Sequence, residues 1–74
     1  MRMKLKLLRV EKGMSQEELA ALLGVSRQQY REIENGRAEG KPWFWKRVQQ
    51  VFNLTDAKAW EAMTNTVDRE ESGK

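Results

Sequence analysis

With 74 residues, of which 39% are apolar, the chain can form one small domain with a thin core, too small for a deep substrate cleft. It contains neither histidine nor cysteine, so zinc sites of the usual kind, imidazole or thiol catalysis and a disulfide framework are all disfavoured. The net charge of +3 is unevenly spread: residues 1–50 hold 11 Lys/Arg against 6 Asp/Glu, and residues 51–74 hold 3 against 5.

A basic first two-thirds suits an anionic partner, although a charge this size is weak evidence alone. No window approaches the roughly 18 apolar residues of a membrane span, and lysines and arginine interrupt Met1–Val10. Neither a membrane segment nor a signal peptide is supported, and a cytoplasmic location is expected.

The apolar spacing is helical throughout. A first helix over Met3–Lys12 carries two adjacent stripes, Leu5/Leu8 and Leu7/Val10, and stops at Gly13. Ser15 with Glu18 reads as a capping box opening a second helix, with Leu19, Leu22 and Leu23 facing inward and Gly24 ending it. After Val25, Ser26 with Gln29 reads as a second capping box, and the third helix runs to Asn35-Gly36. A basic, glycine-containing loop over residues 36–41 leads to Pro42 in the first turn of a fourth helix. Its buried face is Phe44, Val48, Val51 and Phe52. A fifth helix is expected from Thr55 or Asp56 to about Met63, with Ala59, Trp60 and Met63 inward. The whole is an all-α, five-helix domain over residues 1–64, with residues 65–74 as a polar, flexible tail and no internal repeat.

On the third helix, Val25, Tyr30 and Ile33 point to the core, so Arg27, Gln28, Arg31, Glu32 and Asn35 share the opposite surface. Arg27 and Arg31 repel at i, i+4, at a cost of roughly 0.2–0.5 kcal/mol unless an anion lies near. Glu34 is placed to offset Arg31. Arginine can bond guanine O6 and N7 in bidentate fashion, and glutamine can do the same with adenine, so this face has the chemistry of a base-reading helix. A merely solvated polar face is the competing reading.

The run from Gln16 to Gly36, with Ala20, Gly24, Val25, Ile33 and Glu34-Asn35-Gly36 in register, resembles the phage repressor/Cro-like, XRE-type helix-turn-helix family. Leu8-Arg9 and Lys12-Gly13 upstream, and Pro42, Phe44, Val48 and Phe52 downstream, extend the resemblance over about residues 4–60. It implies a compact lambda-repressor-like fold in which helices two and three bind double-stranded DNA. Arg27, Gln28, Arg31 and Glu32 would then contact bases in the major groove, with Glu32 accepting from a cytosine amino group or orienting Gln28. Gln16, Asn35, Arg37, Lys41 and the indole N–H of Trp43 would grip the backbone. For Gln16, Lys41, Lys46 and Arg47, ordinary solvated side chains remain the alternative. Ala20 and Gly24 are packing and turn residues, and an Arg9–Glu34 ion pair would tie helix one to helix three.

Two departures stand out. Tyr30 occupies a position where a branched aliphatic residue is usual, so its hydroxyl needs a partner or the surface. Trp43 and Trp45 cannot both be buried beside Phe44. Trp45 and Trp60 are candidates for a dimer or partner surface, although Trp60 has a second reading, closing the core against helix one.

The resemblance therefore implies a stand-alone, nucleoid-associated regulator of prokaryotic, phage or mobile-element type, repressing by occupying a palindromic operator. It would act as a homodimer, weak or formed only on DNA. An antitoxin-like module that binds a protein partner on the same fold is the alternative. No cofactor, metal or catalytic residue is expected, and paired carboxylates suited to acid–base work are not evident.

Overall fold

The structure, a computed structural model, describes residues 1–64 of the chain. The proposed tail at 65–74 lies outside the described residues. Five helices follow in order: α1 (Met3–Glu11), α2 (Gln16–Leu23), α3 (Arg27–Glu34), α4 (Pro42–Phe52) and α5 (Asp56–Thr64). No strand occurs among the described residues.

Each boundary has a local cause. The Ser15 hydroxyl accepts from the Glu18 N–H at 3.0 Å, and the Glu18 carboxylate accepts from the Ser15 N–H at 2.8 Å, closing a reciprocal capping box. In α3 only the hydroxyl half forms, Ser26 accepting from the Gln29 N–H at 3.0 Å. Gly24 ends α2 at φ +77°, and a side chain there would strike the guanidinium of Arg47. Pro42 stands in the first turn of α4, where its missing N–H costs nothing. Asn53 ends that helix in the left-handed region. Thr55 caps α5 by accepting from the Lys58 N–H at 3.2 Å.

The core is built from Leu5, Leu19, Leu23, Tyr30, Ile33, Phe44, Trp45, Val48 and Phe52, with Leu8, Met14, Val25, Val51, Leu54 and Met63 packed around it. Helix α3 packs chiefly across α2, while α5 closes the domain against α1 and α4.

Two expected inward positions are corrected. Leu22 is exposed, because the neighbours of α2 cover Leu19, Ala20 and Leu23 instead. Trp60 is 64% exposed; α5 turns the small Ala62 inward, which lets it approach its neighbours closely. Of the two stripes on α1, Leu5 is buried and Leu8 half-buried, whereas Leu7 and Val10 face outward.

Candidate nucleic-acid interface

Helix α3 is held in place by a buried carboxylate. Glu34 is almost fully enclosed and accepts from Arg9 Nε at 3.0 Å, Gln16 Nε2 at 2.9 Å and the Tyr30 hydroxyl at 2.6 Å. It thereby joins α1, α2 and α3. Burial alone would push this carboxyl up; hydrogen bonds from Arg9, Tyr30 and Gln16 outweigh it and hold the group below the ordinary glutamate value. Hydrogen bonding to Glu34 raises Arg9 in turn. Burial, followed by the bond to Glu34, raises the Tyr30 phenol. The Tyr30 hydroxyl has thus found a partner inside the core. Glu34 does not offset Arg31 as expected, because its charge is directed inward to Arg9.

With Tyr30 and Ile33 buried, the opposite face of α3 carries Arg27, Gln28 and Arg31, all exposed and lining one shallow depression. Their spacing along one helix brings two guanidinium groups and an amide, groups able to bond base edges in bidentate fashion, to a single surface. Glu32 and Asn35 are half-buried at the end of that face. The Glu32 carboxylate lies 3.7 Å from Arg37 Nη1, and its backbone carbonyl accepts from the N–H groups of Arg37 and Ala38.

Gln16 is half-buried at the start of α2, one amide hydrogen committed to Glu34 and the second left over. Beyond α3, Arg37 and Lys41 are exposed. Trp43 is 44% exposed, with the Arg47 guanidinium carbon 5.3 Å from its ring centroid. Arg47 also donates to the Leu23 carbonyl at 3.1 Å, so it is a bonded residue at the helix-turn-helix corner. Lys46 is exposed.

Trp45, expected at a dimer or partner surface, is instead in the core at 7% exposure. Its ring packs edge-on against Phe44 with centroids 5.0 Å apart, and its indole N–H donates to the Glu39 carbonyl at 3.0 Å. Trp60 stays outside, along a groove shared with Pro42, Lys46, Gln49, Asp56 and Met63. The residue that sequence reasoning passed over is Arg2. It is 6% exposed and bonded to the backbone of three separate segments. A lone arginine beside other cations near the start of a helix carries no periodic signal.

Two short helices joined through a glycine corner, with the second presenting an Arg/Gln/Arg face, are the architecture of a helix-turn-helix DNA-binding domain. The helix-turn-helix family model matches residues 5–42, a little over half of the chain. The chain belongs to the XRE-type, Cro-like helix-turn-helix family, whose domain binds DNA. No curated protein and no solved structure matches it. No helix among the described residues is long and apolar enough to cross a membrane.

Proposed function

We propose that the chain is a sequence-specific transcriptional regulator that represses by occupying a two-fold symmetric operator. The observation that carries this reading is the Arg27/Gln28/Arg31 face, outward on a helix whose inner side is clamped to α1 and α2 through Glu34. A rigidly held helix can present bidentate donors to base edges in one register. Arg27 and Gln28, in the first exposed turn, are assigned to bases. Arg31 and Glu32 follow one turn on, with Glu32 also restraining Arg37. Gln16, Asn35, Arg37, Lys41 and Trp43 are assigned to the DNA backbone, and the cytoplasm, at the nucleoid, is the expected location.

Pairing of two copies is assigned to the α4–α5 side, where Trp60 stands exposed beside an apolar groove. The same tryptophan supports the second reading, a protein partner of antitoxin type on this surface. Selection of bound duplexes from a random pool at about 150 mM salt separates the two, because non-specific phosphate binding is weakened there. An enriched inverted repeat of fixed spacing supports the operator-binding dimer. No enrichment by folded protein overturns it and favours the protein partner. Repeating the selection with Arg27→Ala is expected to relax one base position and cost about 1–3 kcal/mol on the preferred site. An unchanged motif and affinity would displace α3 as the reading helix.

A further inference from the structure

Arg2 is a buried cation with no carboxylate within ion-pair distance among the described residues. Its surroundings show how that is sustained. Nη1 donates to the carbonyls of Ile33 and Ala38, the latter at 2.7 Å, and Nε donates to the Met63 carbonyl at 2.9 Å. Its own N–H donates to the Glu34 carbonyl at 2.7 Å, and the guanidinium carbon lies 5.4 Å from the Trp45 ring centroid. Ile33 and Glu34 stand in the last turn of α3, where carbonyls at a helix end concentrate partial negative charge. The end of α3, the carbonyls of Ala38 and Met63, an aromatic face and the charge of Glu39 beyond ion-pair distance together stand in for a directly paired carboxylate.

The remaining acceptor, Ala38, belongs to the loop between α3 and α4. The next carbonyl, Glu39, is taken by the Trp45 indole N–H at 3.0 Å. Gly40 then lies flat on Trp45 at φ +82°, where a side-chain carbon would stand 2.8 Å from the indole nitrogen. At the start of the loop the Glu32 carbonyl holds the N–H groups of Arg37 and Ala38. Successive main-chain groups of this loop are thus tied inward, while Arg37 and Lys41 at its two ends remain exposed.

We propose that Arg2 is a positioning residue for the grip on the DNA backbone: with Trp45 it fixes the 36–41 loop so that Arg37 and Lys41 meet phosphates in a set register. The proposal rests on the DNA-binding reading above. Positioned cations lose less freedom on binding than cations on a mobile loop, so a set loop contributes to every duplex alike.

The test uses the full chain with Arg2→Met, which keeps most of the side-chain bulk, and with Trp45→Phe, which keeps one aromatic ring while removing the donor to Glu39 and part of the indole's bulk. Affinity for the preferred duplex and for a scrambled duplex is measured across salt concentration, with hydrogen exchange of the loop amides in the free protein. In each folded variant, affinity is expected to fall by roughly three- to tenfold on both duplexes, with a salt slope shallower by about 1 and base preference kept. The Arg37 and Ala38 amides are expected to exchange faster, with those of α2 unchanged. Unchanged slope and exchange would overturn the proposal, as would a loss of base preference in step with affinity, since α3 itself would then have moved. Should Arg2→Met fail to fold, Trp45→Phe decides. If the native chain binds no duplex at low salt, the DNA reading fails, and loop exchange alone still judges the role of Arg2.

Discussion

Glu34 shows how much one residue can decide in a domain this small. A carboxylate taken out of water is tolerated only when its oxygens are satisfied, and here a guanidinium, a phenol and an amide supply the donors. Because the folded state holds Glu34 below its ordinary value, its contribution to stability is complete above about pH 4.5. That contribution is lost as the pH falls through the lowered folded value. Glu34→Gln is therefore expected to destabilise the neutral protein and to flatten the acid limb of a plot of unfolding free energy against pH, measured by denaturant titration. An acid limb as steep as the native one would show that other carboxylates drive acid unfolding. The pairing of Arg9 with Glu34 could be expected from the family resemblance, as could the need of Tyr30 for a partner. That both needs, and the Gln16 amide, converge on one carboxylate depends on how three helices meet.

Helices α2 and α3 have eight residues each, below the length of about 12 at which an isolated helix becomes even marginally stable in water. Caps and packing must make up the difference. Ser15→Ala removes the hydroxyl half of a closed capping box and is expected to cost about 1 kcal/mol, seen as a lower urea midpoint with unchanged slope. Helix spans and ends were legible because their causes lie within a few residues along the chain: a serine three positions before its partner, a glycine able to take positive φ. Which of two neighbouring faces turns inward was less legible. Periodicity places Leu22 beside Leu19 and Leu23, and Trp60 one turn before Met63, but the approach of other helices chooses which of them turn inward. A bulky ring at position 60 would hold α5 away from its neighbours, whereas Ala62 lets it close.

At the scale of the whole molecule, two surfaces follow from the packing. The α3 face and the loop after it form one side, and Trp60 with its groove forms another. If the second pairs two copies on an operator, Trp60→Glu is expected to abolish cooperative occupancy of an inverted repeat, as read by titration on full and half sites. Half-site affinity should stay unchanged, because Trp60 lies on α5, away from the α3 face proposed to meet the bases. Equal losses on both sites would place Trp60 at the DNA instead of at a surface between copies.

The amino-acid sequence by itself determined the helical content, the caps, the glycine corner and the Arg27/Gln28/Arg31 face. Each of these rests on interactions within one or two helical turns. Only the tertiary structure decided that Trp45 is interior, that Gln16 leans on Glu34, and that Arg2 binds carbonyls 31 to 61 positions away. Those outcomes depend on where distant segments meet, because a buried cation or indole N–H settles wherever the folded chain leaves carbonyls unpaired.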